Sequence, residues 1–164
     1  MASPRIRLAI SADLSAINDI YNHYVHCSTC TYQTEPSTPD ERAEWFAAHG
    51  PTHCVTVAEA AGVVVGWASI SRFRSRSAYD RTVENAVYVR HDRHRHGIGS
   101  ALLADSLDRA RAVGHHTVIA VIDAEQAGSI ALHVRHGFVE AGRLREAGFK
   151  FGRWLDVVYL QRML

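Results

Sequence analysis

"VYVRHDRHRHGIGSALL", residues 87–103, changes character twice within one short run. Val87 to Val89 read as the end of a β-strand. From Ile98 onward the apolar residues recur at helical spacing, with Ile98, Leu102, Leu103, Leu107 and Ala110 on one face until Gly114 stops the helix. The junction between them holds Arg90, Arg93 and Arg95, His91, His94 and His96, and then Gly97-Ile98-Gly99. At a strand-to-helix junction the first helical amides lack partners and the positive end of the helix dipole faces outward, which suits phosphate oxygens. A Walker A loop is excluded: no Gly-Lys-Ser/Thr is present and Lys150 is the only lysine. A Rossmann fingerprint fits poorly, because Leu102 stands at its third glycine position and the preceding strand reads as antiparallel. The spacing His-x-x-His-x-His lies in a loop with nothing to orient three imidazoles, so no metal is expected.

Working outward, 164 residues with 47% hydrophobic content suit one domain over residues 1–164. Eighteen Lys and Arg against 17 Asp and Glu give a net charge of +1, so no global field favours nucleic acid or an anionic membrane. The basic cluster is a local device. No apolar run approaches the ~20 residues a bilayer span requires, and "MASPRIRLAI" lacks the long apolar segment of a secretion signal. A soluble cytoplasmic protein is expected. Cys27, Cys30 and Cys54 are an odd number without a second Cys-x-x-Cys pair, which argues against a disulfide framework or a zinc site; Cys27 and Cys30 read as small residues ending a helix.

Along the chain, Ile6 to Ala9 predict a short strand. "SADLSAINDIYNHYV" predicts a helix with Leu14, Ile17, Ile20, Tyr21 and Tyr24 inward. "STPDERAEWFAAH" begins as a capped helix with proline in its first turn, and its Ala43, Phe46 and Ala47 share a face with Trp45 at the edge. "CVTVAEAAGVVVGWASIS" and "RTVENAVYV" form an antiparallel meander of three strands. After the long helix, "TVIAVI" is apolar enough for burial on both faces, and "GSIALHVRHGF" is a short helix ended by Gly137. "FVEAGRL" and "WLDVVYLQRML" supply two last strands around the loop "REAGFKFGR". The expected fold is a mixed α/β domain, β-α-α-β-β-β-α-β-α-β-β, with a mostly antiparallel central sheet.

These residues carry a family resemblance. "VYVRHDRHRHGIGSALL" resembles the acyl-CoA signature of the GNAT N-acetyltransferases, and the element order is that of the GNAT fold. "TYQTEP", "RSRSAYDRTVENAVYV", "SIALHVRHGF" and "GFKFGRWLDV" narrow the resemblance to the phosphinothricin and methionine sulfoximine acetyltransferases. The resemblance implies acetyl transfer from acetyl-CoA to the α-amine of a small amino-acid analogue. Arg95, His96, Gly97, Ile98, Gly99 and Ser100 would carry the pyrophosphate, and the backbone of Val87, Tyr88 and Val89 the pantetheine arm. Two positions depart from the family pattern. His94 stands at the Arg/Gln position of the signature, and Gln126 replaces an asparagine expected three residues before Ser129, where it still hydrogen-bonds.

Acetyl transfer to an amine requires removal of an ammonium proton and stabilisation of a developing oxyanion. Glu84 shares a strand face with Ala86 and Tyr88, so its carboxylate sits among apolar groups that raise its pKa and suit it as general base. His133 is the second candidate for the catalytic machinery, and a backbone amide near Val87 the candidate oxyanion donor. Recognition of an acidic acceptor calls for cations, and Arg74 and Arg76 precede Glu84 closely. Tyr32 and Tyr79 are expected to wall the acceptor pocket together with Glu84, Asn85 and Ala86. Lys150, Phe151, Arg153 and Trp154 fall at the last hairpin, which the resemblance places near the site entrance and a homodimer contact. The expectation is a direct ternary-complex mechanism without an acyl-enzyme. The alternatives are acetylation of another small amine or a protein N-terminus, and an inactive acyl-CoA sensor.

Overall fold

The computed structural model describes residues 4–164; the first three residues of "MASPRIRLAI" lie outside them. Seven strands make one sheet: β1 (Arg5–Leu8), β2 (Val55–Ala60), β3 (Val63–Arg72), β4 (Thr82–Val89), β5 (Thr117–Asp123), β6 (Val139–Lys150) and β7 (Arg153–Met163). Their order is β1-β2-β3-β4-β5-β7-β6. Every neighbouring pair is antiparallel except β4 and β5, which are parallel and meet only from Thr82–Glu84 to Thr117–Ile119. Beyond Glu84 the two strands part, and the sheet opens into a wedge.

Helices α1 (Leu14–Cys27) and α2 (Pro39–Ala47) cover one face of the sheet, α3 (Ile98–Ala112) and α4 (Ala127–Arg135) the other. The α3 stripe is the one its periodicity predicts: Ile98, Leu102, Leu103, Leu107 and Ala110 are all buried, on a helix that packs against β2, β3 and β4. Fully burying a leucine contributes about 1.5–3 kcal/mol, so this stripe fixes the helix and with it the loop at its N-terminus. The β2–β3 turn is Ala61-Gly62, both in the left-handed region at φ 50° and 78°, as a two-residue hairpin requires. Among the described residues no helix is long and apolar enough to cross a membrane.

Four expectations are corrected. In α2, Thr38 caps the helix and Pro39 opens it, but Ala43 and Ala47 face solvent while Arg42 is buried. The helix packs on aromatic rings, which accept a guanidinium where a hydrophobicity pattern excludes one. The "REAGFKFGR" loop is largely strand: β6 runs on to Lys150, and the turn is Phe151-Gly152 alone, at φ 52° and 74°. Bulges between Glu140 and Gly142 and between Leu144 and Gly148 break the alternation by which a strand is recognised. Strand β5 is buried except at Val121, which opens onto the wedge. Cys27 ends α1, whereas Cys30 lies in the following loop beside the wedge.

Candidate active site

The wedge between β4 and β5 is a cleft of about 790 Å³, closed at one end by the N-terminus of α3 and along one side by α4. Its β4 wall is backbone. The Arg90 N–H pairs with the Val65 carbonyl of β3, so by strand alternation Ala86 and Tyr88 also face β3 with their amides and carbonyls. Asn85, Val87 and Val89 present theirs to the gap that β5 has left. The Val89 carbonyl is taken by the Tyr24 hydroxyl, which also hydrogen-bonds the His94 ring at 2.6 Å. His94, the departure from the signature, therefore ties the basic loop to α1.

The loop divides its charge. Arg90 forms a two-pronged pair with Asp92 at 2.6 and 3.0 Å. Arg93 and Arg95 line the cleft, and the buried Nε of Arg93 makes no hydrogen bond among the described residues, its ion-pair contact being Asp92 at 3.7 Å. Arg95 and Gly97 both take left-handed backbone, at φ 63° and 77°, the former costing on the order of 1 kcal/mol for a residue with a Cβ. A Cβ on Gly97 would meet nothing within 4 Å. Open space, glycine and unpaired helix-terminal amides coincide here, which is the arrangement that holds a pyrophosphate. Ile98, Gly99 and Ser100 continue the lining, with the Ser100 hydroxyl 2.8 Å from His136. His96 turns away and bonds the His94 carbonyl instead.

On the opposite wall Gln126 starts α4 and donates to Thr29 at 3.1 Å. His133 is buried; its Nδ1–H donates to the Ser129 carbonyl (2.8 Å) and its Nε2 accepts from the Asn85 amide (3.1 Å). Burial holds this imidazole below its usual pKa, hence neutral. The same bond fixes Asn85 with its Oδ1 buried and unpartnered at the cleft, an acceptor suited to an amide N–H of a pantetheine arm. Glu84 is half-buried at the apex of the wedge, where β4 and β5 part. Burial raises its pKa, opposed by the Arg74 charge.

The structure thus brings Glu84, Asn85, Ala86, Val87, Tyr88, Val89, Arg95, Gly97, Ile98, Gly99, Ser100, Gln126 and His133 to one cleft. It leaves Arg74, Arg76 and Tyr79 exposed on the β3–β4 loop, Tyr79 edge-on to Phe73. Tyr32 does not wall the cleft: its hydroxyl is spent on Asp123 and the Asp156 carbonyl, and its ring occupies the place a Cβ on Gly148 would take. Lys150 flanks the Phe151-Gly152 turn, at the last hairpin as expected, yet it is buried and donates to the Ser28 and Thr31 carbonyls at 2.7 and 2.8 Å, stapling that segment beside the cleft.

The model of the acetyltransferase (GNAT) family matches residues 17–138, which span α1 through the whole cleft. The chain belongs to that family. It is an N-acetyltransferase that takes its acyl group from acetyl-CoA. It is 42% identical to phosphinothricin N-acetyltransferase of Streptomyces viridochromogenes over 96% of this chain and 86% of that one. It is 38% identical to the methionine sulfoximine/methionine sulfone acetyltransferase of Salmonella typhimurium over 97% and 94%. Among solved structures, a phosphinothricin acetyltransferase from Sinorhizobium meliloti in complex with acetyl-CoA superposes with a TM-score of 0.95 at 38% identity, covering 99% of this chain and 89% of that one. A ribosomal-protein-alanine N-acetyltransferase from Brucella melitensis matches equally well, with a TM-score of 0.95 at 39% identity over 98% and 99%. The GNAT enzyme described here therefore has relatives with free amino-acid acceptors and one named for a protein acceptor.

Proposed function

We propose that the enzyme acetylates the α-amine of a small amino acid or amino-acid analogue, such as phosphinothricin or methionine sulfoximine or sulfone, by direct attack in a ternary complex. The observation that carries this reading is Glu84, a half-buried carboxylate of raised pKa at the point where the cleft opens. Glu84 takes the proton from the acceptor ammonium, directly or through a water. The freed nitrogen bonds to the acetyl carbonyl carbon, and the carbon–sulfur bond breaks. A backbone amide that β4 turns to the gap near Val87 meets the oxygen on which negative charge develops. The nitrogen, cationic once bonded to the carbon, gives up its second proton, which water relays to the departing sulfur. Arg95 to Ser100 hold the pyrophosphate, Val87 to Val89 the pantetheine arm. His133, with both nitrogens engaged, acts as a positioning residue for Asn85. Arg74 and Arg76, with Tyr79, meet a distal polar or anionic group of the acceptor from the β3–β4 loop.

The enzyme works in the cytoplasm, where its acyl donor is made, and as a homodimer; Phe149, Phe151 and Trp154 leave an exposed apolar patch around the last hairpin for a second copy to cover. The Brucella relative favours a second reading, acetylation of a protein N-terminus. An acceptor panel read by thiol release separates the two: phosphinothricin, methionine sulfoximine and methionine sulfone are expected to turn over and an alanine-initiated peptide is not. Preference for the peptide would reverse the assignment. Bound acetyl-CoA with no turnover of any acceptor would make the protein a sensor.

A further inference from the structure

Ala86 and Tyr88 line a second cavity as well as the cleft. It has a volume of about 430 Å³ and lies under α2 on the α1/α2 side of the sheet. Its floor follows the register of β3 and β4, in which Trp67 pairs with Tyr88, Ser69 with Ala86 and Ser71 with Glu84. Glu84 therefore stands one pair beyond Ala86 on the same strand face, about 7 Å along at the rise of a β-strand. Ala86 and Tyr88 are shared by the two spaces, and Glu84 lines the wedge beside Ser71 of the cavity floor.

Its wall holds an unusual charge. Arg42 is 5% exposed and has no carboxylate within ion-pair distance among the described residues. Its Nε donates to the Asn18 side chain at 3.0 Å, one terminal nitrogen makes a long 3.4 Å contact to Ser37, and its guanidinium carbon lies 4.7 Å from the ring centroids of both Tyr21 and Trp45. The adjacent carboxylate, Glu41, is committed to the cap of α2 at Thr38. In the same wall the indole N–H of Trp67, 2% exposed, has no partner either. A buried cation without a counter-ion and a buried donor without an acceptor are each unfavourable alone. An anion entering the cavity supplies the counter-ion that Arg42 lacks.

We infer that this cavity is the acceptor pocket and that Arg42 binds the α-carboxylate of the acceptor. The inference rests on the amino-acid reading above and sharpens it. The carboxylate is the anion that phosphinothricin shares with methionine sulfoximine and sulfone, whose side chains are neutral. In a protein N-terminus the same carbon bears an amide, which leaves the guanidinium unpaired. Arg42 thus selects free amino acids against peptides, a discrimination made by leaving a buried polar group unmatched in the wrong complex.

The test compares L-methionine sulfone with its α-carboxamide in wild type and in Arg42→Gln, at saturating acetyl-CoA. The ratio of kcat/KM for acid over amide is expected to fall roughly 10- to 150-fold in the variant, the worth of a charged hydrogen bond, mainly through KM for the acid. Taking the ratio between proteins cancels the difference in amine basicity. Should Arg42→Gln lose its helical circular dichroism, Arg42→Lys decides, because a compact ammonium does not reproduce the fork and the ratio should drop at least about threefold. An unchanged ratio, with both acceptors weakened alike, makes Arg42 a packing residue and overturns the inference alone. Wild type that acetylates neither compound overturns the amino-acid reading and the inference with it.

Discussion

The β4 wall of the cleft is backbone, whereas the cavity under α2 is bordered by the side chains of Tyr21, Arg42, Trp45 and Trp67. About half of the cleft's lining comes from one run, residues 84–100: strand amides freed where β5 departs, then helix-terminal amides exposed by Gly97 and Gly99. Such a wall suits a ligand that never varies. The cavity draws on Tyr21 of α1, Gln33 of the following loop, Arg42 and Trp45 of α2, Trp67 of β3 and Tyr88 of β4. A wall of this kind changes one residue at a time without disturbing the cofactor side, so donor and acceptor specificity are separable. Glu84 sits where the two walls meet.

That separation is broken most severely at the meeting point. Glu84→Gln keeps shape and hydrogen bonding but accepts no proton, and kcat is expected to fall by roughly 10²- to 10⁴-fold with acetyl-CoA binding little changed. Burial raises the Glu84 pKa, so wild-type kcat/KM declines as pH falls through that raised value; the variant lacks this limb. Because the free amine is also supplied by alkali, the variant should recover partly at high pH, where wild type has levelled off. A variant profile parallel to wild type, with near-normal activity at neutral pH, would move the base elsewhere.

A smaller effect is expected from the backbone wall. Gly97→Val puts a β-branched side chain at φ 77° and into the open space over the α3 amides. KM for acetyl-CoA should rise tenfold or more, on the order of 1.4 kcal/mol, with the acceptor KM unchanged. Calorimetric titration with acetyl-CoA checks this, and equal affinity in both proteins would remove the pyrophosphate from this loop.

The smallest effect belongs to the exposed loop. Arg74→Ala removes a charge that opposes the rise in the Glu84 pKa, so the acid limb of kcat/KM should shift to higher pH, by less than about one unit for so exposed an arginine. KM for phosphinothricin should rise more than KM for acetyl-CoA. Equal rises, with no movement of the limb, would place Arg74 outside the acceptor side altogether.

The sequence by itself determined the fold and most of the residues that meet in the cleft, because both rest on local signals: the period-3.6 stripe of α3, the Ala61-Gly62 turn, and a glycine loop at the start of a helix. Glu84 was legible for the same reason, since strand alternation placed it with Ala86 and Tyr88. Only the tertiary structure decided that Arg42 is buried, that Tyr32 is a clamp over Gly148 and that Lys150 staples residues 28 to 31. Those three contradict the usual behaviour of their residue types. Each is held by partners distant in the chain, rings of Tyr21 and Trp67 for Arg42, Asp123 for Tyr32, and loop carbonyls for Lys150. A polar side chain is buried only where such partners replace its water, and those partners are assembled by the packing of separate elements.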